Sequence, residues 1–493
     1  MGVLELLELV LTARRAWARA LLAGLLAGAV GLLLLARVAG AQPPRSGQAP
    51  AASSAAPYSI ALNYTIRFYP RLFTYVQTNL GKQNFLNGPQ HMGPVYGAVP
   101  APNDDTLYAN FFLNLAQGPR VFTIPGTNVN QVRYSLLVMD VFGHVIQTNI
   151  PTNISTTGTY LLVSKGWHGT PPTGATVVRV PYPLTVWVIR ADKYVNGQNL
   201  IPKANSFRTS LRLASLQNYE QDPSTGATQL LPLRDYAPRA KAIADQLVDS
   251  HTTTFFRLVQ LGVSSPTTAP LSPSDVQLSR AFNRVFAAAN QAARHGNNRP
   301  LSVLIKAARA AHALIIHRFV SNVDQNRWVY FDNIGEWGTN YLDRAATTEF
   351  LEFSNSATTS GYYSAFTDDR GVPLNGSRHV YRLTFSADAN ATEGAVPEAQ
   401  RFWSITAYLP RGMTLVPNAA RKYLVASYTN LKKNSNGTIT VYIQAKRPAG
   451  HTANWLPVPR GSFALVLRVY GPTGNTSPGS KYIPPKITAS SGG

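Results

Sequence analysis

Residues 102–115 read "PNDDTLYANFFLNL". Two adjacent acids, Asp104 and Asp105, stand at the head of an apolar run in a chain with 23 acidic against 45 basic side chains. Behind them Leu107, Ala109, Phe111, Leu113 and Leu115 alternate with Thr106, Tyr108, Asn110, Phe112 and Asn114, the period of two that marks a strand with one buried face. The acid pair reads either as the turn that starts the strand or as the charged corner of a site.

Outward from this strand the composition agrees with a β-rich chain. Of 493 residues, 45% are hydrophobic, enough for a large core and for two or three domains. Gly (36) and Pro (35) break up short Thr-, Val- and Tyr-rich runs. Cysteine is absent, which excludes disulfides and thiolate chemistry.

At the start of the chain Arg14, Arg15 and Arg19 precede an apolar run at 20–36, followed by Ala39-Gly40-Ala41, so residues 1–41 read as an export signal. A retained anchor, a membrane tether through 20–36, is the alternative. Six Asn-x-Ser/Thr sequons follow, at Asn63, Asn153, Asn375, Asn390, Asn436 and Asn475, glycan acceptors if the chain passes a eukaryotic secretory pathway. Residues 1–41 carry four Arg and two Glu, so 41 basic and 21 acidic side chains remain beyond them, a net of +20. That charge favours an acidic polysaccharide or another extracellular polyanion as partner. Nucleic acid is not expected, since basic and aromatic residues are not interleaved on one face; "RKYLVASYTNLKK", with Lys432-Lys433, is a faint version.

Residues 42–57 are a linker without periodicity. Strand-like segments fill 58–205, among them "RYSLLVMDVFGHVIQT", apolar on both faces and therefore a central strand. Between 206 and 345 the period lengthens. Ser272 as N-cap, Pro273 and Asp275 in the first turn, and the stripe Leu278, Phe282, Val285, Phe286 and Ala289 define a helix. The period of two returns over 346–475, and a polar tail occupies 476–493. The fold class is mainly β with a helical middle segment.

Several of these stretches resemble one known family. In the first half they are Asn103, Asp105, Thr106, Leu107 and Tyr108, then Gly118-Pro119, "YSLLVMDVF" and "GTYLLVSKGWHG"; in the second, "GEWGTNYLDRA", "DDRGVPLNG", "FWSITAYL", "NGTITVYIQ" and "NWLPVPRGSFALVLRVYGP". The chain resembles the proteins that pair DUF 1254 with DUF 1214, two domains of unknown function. The resemblance covers nearly everything after the linker and implies two β-sandwich or jelly-roll-like domains with helices between; it implies no activity. Leu409 and Asn340 stand where that family usually has Asp, and Ser462 and Gly471 where Pro and Trp are common, which argues against an acid-dependent site in the second domain.

No motif fixes a chemistry. Nine His without Cys show no metal-binding spacing, and His312 and His317, five apart on a helix, point to different faces, so no metal and no cofactor are expected. His168 and His451 lie in turn-rich stretches. No nucleophile elbow or phosphate cradle is present. Asp140, in the middle of an apolar run, needs donors or a cation, and His144 follows four residues later. Asp105, Asp140 and His144, with Tyr108 as auxiliary proton donor, have the parts of an acid–base site for a hydrolase or lyase acting on a sugar or small ester. The structural alternative has Asp105 capping its turn and Asp140 clamped by an Arg. Trp403, Tyr408, Tyr442 and Trp455 are candidates for a sugar-stacking platform against a core role, with Trp455, in a Pro-rich loop, the strongest. The sequence alone favours a secreted or cell-envelope basic protein that binds acidic polymers without catalysis, with the enzyme as the alternative.

Overall fold

A computed structural model describes residues 56–126 and 132–491. The first half carries β1 (Asn87–Pro89), β2 (Thr106–Asn114), β3 (Arg120–Ile124), β4 (Arg133–Met139), β5 (Asn153–Ile154), β6 (Gly158–Ser164), β7 (Thr176–Val180), β8 (Leu184–Asp192), β9 (Tyr194–Val195), β10 (Gln198–Asn199), β11 (Arg212–Ser215) and β12 (Gln229–Leu231). They form a six-stranded sheet in the order β12-β1-β2-β8-β4-β5, a four-stranded sheet in the order β11-β3-β6-β7, and the hairpin β9-β10.

The alternation in β2 decides how these layers meet. Leu107, Ala109, Phe111 and Leu113 pack into the core between the two sheets, with Phe122, Tyr160, Leu162 and Trp187. Tyr108 and Phe112 turn to the other side, where they join Met92, Tyr96, Val99, Val186, Val188 and Tyr236 in a second apolar layer. The six-stranded sheet is thus covered on both faces, and every residue of β8 is buried.

The described helices are α1 (Pro57–Leu80), α2 (Ile201–Ser210), α3 (Leu216–Gln221), α4 (Ala240–Ser250), α5 (Thr252–Ser264), α6 (Pro273–Arg294), α7 (Arg299–Ser321) and α8 (Tyr341–Leu351). Of these, α1 and α4 contribute to that second cover, while Ala204 and Phe207 of α2 pack into the core between the two sheets. Helix α1 corrects the reading of residues 58–80 as strand-like. Ile60, Tyr64, Phe68, Leu72 and Val76 recur every four residues, and Ala61, Thr65, Tyr69 and Phe73 form a second row beside them, all buried. Its aromatic and β-branched residues and the internal Pro70 imitate a strand, but packing against α5, α6, α7 and α8 overrides that local preference. Helix α6 starts as its sequence predicts: the Ser272 hydroxyl accepts from the Asp275 N–H at 3.1 Å, with Pro273 in the first turn.

The second half is a sandwich as well. Its strands are β13 (Val329–Tyr330), β14 (Ser360–Ala365), β15 (His379–Phe385), β16 (Ala399–Leu409), β17 (Thr414–Leu415), β18 (Leu424–Ala426), β19 (Ile439–Gln444), β20 (Trp455–Pro457), β21 (Ala464–Pro472) and β22 (Ile487–Ser491). One sheet runs β13-β14-β21-β16-β17, with β18 also on β16; the other runs β20-β19-β15-β22. Trp328, Phe385, Trp403, Val441, Leu467 and Ile487 are among the residues that fill the space between them.

The halves are joined through polar contacts as well as packing, within the one compact unit that residues 57–493 form. The Arg401 guanidinium forks onto the Asp192 carboxylate, Nε to Oδ2 at 2.9 Å and Nη2 to Oδ1. The Tyr408 hydroxyl donates to the Pro102 carbonyl (2.7 Å) and Arg468 to the Ala101 carbonyl (2.6 Å). The expected signal or anchor at 1–41 and the linker to residue 55 lie outside the described residues. Among the described residues no helix is long and apolar enough to cross a membrane.

Candidate functional site

The expected acid–base cluster is not assembled; its members fall into two separate places. In the pairing of β2 with β8, Thr106 faces Asp192, while in the pairing of β4 with β8, Met139 faces Val186. Asp105 and Asp140 therefore sit near opposite ends of β8, about 25 Å apart at the usual rise per strand residue.

At the first end the two acids of the opening stretch take different tasks. Asn103 makes the turn, its Oδ1 accepting from the Thr106 N–H (3.2 Å) and hydroxyl (2.9 Å). Asp104 pairs with Lys193 at 2.8 Å. Asp105, almost fully buried, accepts from the Tyr428 hydroxyl (2.7 Å) and the Ser404 hydroxyl (2.8 Å), both in the second sandwich. Burial pushes its carboxyl up, and Tyr428, Arg468 and Ser404 only partly offset this. It ties the two halves together rather than capping its own turn.

At the other end β4 stops at Met139, so the expected long strand is broken by a turn in which Gly143 takes φ +91°. Asp140 Oδ1 accepts from the N–H groups of Phe142 (2.8 Å) and His144 (2.9 Å), and Oδ2 lies 3.0 Å from His144 Nδ1. Its partners are backbone and imidazole, not the Arg clamp of the structural alternative. The space beside Gly143 is about 20 Å³, room for a single water, and neither Asp140 nor His144 lines it.

The platform aromatics are mostly core. Trp403 and Tyr408 are buried in the second sandwich, and Trp455 lies in strand β20 with its indole N–H donated to the Gln444 carbonyl at 2.8 Å, not in an open loop. Tyr442 stacks on His451. Of the sequons, Asn63, Asn390 and Asn436 are exposed, whereas Asn475 uses its amide on Val396 and Glu398.

One charged cluster escaped the sequence reading. His312 is buried while His317 is exposed, as their spacing predicts, and ligand atoms of Asp245, His312 and Glu349 lie within 4.8 Å of one another. A cation already holds that space: Lys241 Nζ binds Asp245 at 3.0 Å and contacts Glu349 Oε1. Burial works against the charge on His312, but the hydrogen bond from Nδ1 to Asp249 (3.1 Å) and the nearby Asp245 and Glu349 carboxylates, 3.4 and 3.9 Å from Nε2, outweigh it and hold the imidazole up at about 11. The cluster is neutralised from within, and a metal ion would have to displace Lys241. Only the i,i+4 spacing of Lys241 and Asp245 signals it in sequence; His312 and Glu349 arrive from α7 and α8.

The site with space for chemistry is on the outer face of β2 and β8. There the even-numbered residues pair across the strands, Tyr108 with Arg190, Asn110 with Val188 and Phe112 with Val186, and these six line a cavity of about 420 Å³. Val76 and Gln77 of α1, the 96–99 segment, Tyr236, Ile243 and Phe353 close it, and the exposed Lys82 and Asp235 mark its mouth. The walls are largely apolar, and the polar groups are few and fixed. Tyr236 donates to Asn87 Oδ1 (2.6 Å) and stacks on Tyr96. Arg190 donates to the Phe353 carbonyl (2.7 Å) and to Asn355 Oδ1 (3.3 Å), and lies over the Tyr108 ring. Gln77 donates to the Ala98 carbonyl (3.1 Å) and to Glu352 (2.9 Å), whose carboxyl burial pushes well up. Arg190 Nε and Gln77 Oε1 have no partner. Of the candidate catalytic and binding residues read from sequence, only Tyr108 belongs to this site.

Two family models match the chain: "Protein of unknown function (DUF1254)" over residues 83–215 and "Protein of unknown function (DUF1214)" over residues 359–474. The chain belongs to the family that pairs these two domains. In this two-domain protein the floor of the cavity lies inside the DUF1254 match, while α1, Ile243 and Phe353 of its cover lie outside both matches. Among solved structures, the VPA0106 protein of Vibrio parahaemolyticus is similar in fold, at TM-score 0.53 and 18% identity, covering 88% of this chain and 100% of that one. An uncharacterised protein of Burkholderia cenocepacia aligns at TM-score 0.41 and 13% identity, over 88% and 94% of the two chains. A comparison with curated proteins found no match.

Proposed function

We propose that this protein binds a small, largely apolar molecule in the cavity above β2 and β8. The carrying observation is the cavity itself. Its volume of about 420 Å³ falls within the usual range for small-molecule sites, and it combines apolar walls with a few convergent polar groups. Water gains little from walls of Val, Phe, Leu and Ile, so an apolar occupant is the better filler. The hydrolase or lyase reading loses support because its acids stand at opposite strand ends.

The test is titration of the full chain with a neutral apolar fluorophore such as N-phenyl-naphthylamine. Val188→Trp, which projects an indole into the space, should weaken binding roughly tenfold or more. Equal binding by both proteins would refute the site.

A second reading concerns the surface. The signal-like residues 1–41, as signal or tether, support an exported protein of the envelope or extracellular space with the exposed sequons as glycan acceptors, and the net charge of +20 beyond them supports its holding acidic polymers. Retention on an anionic polysaccharide column should fall steeply as salt screens exposed charge. Lack of retention at low salt would remove this reading.

A further inference from the structure

Five arginines of the described residues are almost fully buried, Arg71, Arg190, Arg208, Arg344 and Arg468, and a buried charge is tolerable only where its donors and its field are both answered. Arg208 answers with its donors: they reach Asn205 Oδ1 and the carbonyls of Pro89, Tyr108 and Gln90. Arg71 and Arg344 feel the Asp140 carboxylate, and Arg468 feels Asp105.

Arg190 has neither answer in full. Its partners are a carbonyl, an amide oxygen and a tyrosine ring, and no carboxylate among the described residues lies within ion-pair distance of it. Its Nε–H, shielded from solvent, has no acceptor, and unlike the other four arginines the residue lines the cavity. Glu352, one residue before the Phe353 carbonyl that Arg190 binds, is held toward its neutral form by burial and does not supply the missing charge. Asp235, at the mouth, is exposed and screened by water.

Resting on the cavity being a binding site, we propose that its ligand is an amphipathic monoanion, a carboxylate on a hydrocarbon or aromatic body, whose head accepts from Arg190 while its body lies against Phe112, Val186, Val188 and Ile243. The ligand brings the counter-charge that the fold leaves out, and one buried cationic group in a largely apolar chamber, with Lys82 exposed at its mouth, matches a single negative head. A charge-assisted hydrogen bond in such a site is about twice as strong as a neutral one.

The test compares ligands of one chain length and different heads on the full chain. Calorimetric titration with decanoate, decanol and decylamine should show decanoate binding roughly tenfold or more tighter than decanol, and decylamine weakest. In Arg190→Gln the preference for decanoate over decanol should vanish. Should that variant fail to fold, the three-ligand order on the unaltered chain still decides. Decanol binding as tightly as decanoate would overturn the anionic ligand while leaving an apolar site in place. No binding of any of the three would overturn the binding site and this inference with it.

Discussion

The two faces of the β2–β8 pair are made from alternate residues of the same strands, yet one is packed solid and the other encloses a void. On the inner face Phe111 stacks on Trp187 at 5.2 Å within the sandwich core; on the outer face Tyr108, Phe112, Val186 and Val188 stand against helices that leave about 420 Å³ open. The same alternation, hydrophobicity and register gave both. The difference lies in the cover: a second sheet follows the twist of the first and meshes with it, whereas helices and loops from four distant segments span the outer face without filling it.

This contrast can be broken by substitution. Trp187→Ala on the inner face should cost roughly 3–5 kcal/mol, because the surrounding sheets cannot collapse onto the lost ring. Val188→Ala on the outer face should cost about 1 kcal/mol, since a side chain bordering open space has fewer contacts to lose. Chemical denaturation checks each loss, and a loss of about 3 kcal/mol or more for Val188→Ala would mean that the outer face is packed as tightly as the inner one.

How much of this was legible follows from how local each feature is. The strand alternation of residues 106–114, the α6 start at Ser272 and the opposite facing of His312 and His317 are set by neighbours in sequence, and they could be read there. Helix α1 was hidden because Pro70 and a run of Tyr, Phe and Thr carry strand-like preferences that tertiary packing overrules. The task of Asp105 was hidden because Ser404 and Tyr428 lie some three hundred positions away. The cavity was hidden for the same reason: Gln77, Arg190, Tyr236 and Phe353 share no motif and come from distant segments.

A smaller effect sharpens the comparison through pH. Glu352, behind the cavity, has its carboxyl pushed well above the ordinary range by burial. A carboxyl raised in the folded state binds more protons folded than unfolded, so stability falls as pH rises from its unfolded value of about 4.3 through its folded value. Glu352→Gln, the same shape without the ionisation, should leave the melting temperature near pH 4 almost unchanged and raise it near pH 8. A variant that melts lower at pH 8 than the unaltered protein would show that the carboxyl is paired and charged there.

The most direct test of the cavity is crystallographic. Crystals of the unaltered protein and of Val188→Trp soaked in bromobenzene, measured at the bromine edge, report where a small apolar molecule settles. If the cavity is an apolar binding site, an anomalous peak appears in the unaltered protein between Phe112, Val186, Val188 and Ile243 and is absent from the variant. No peak in that space, or one of equal height in both crystals, would contradict it.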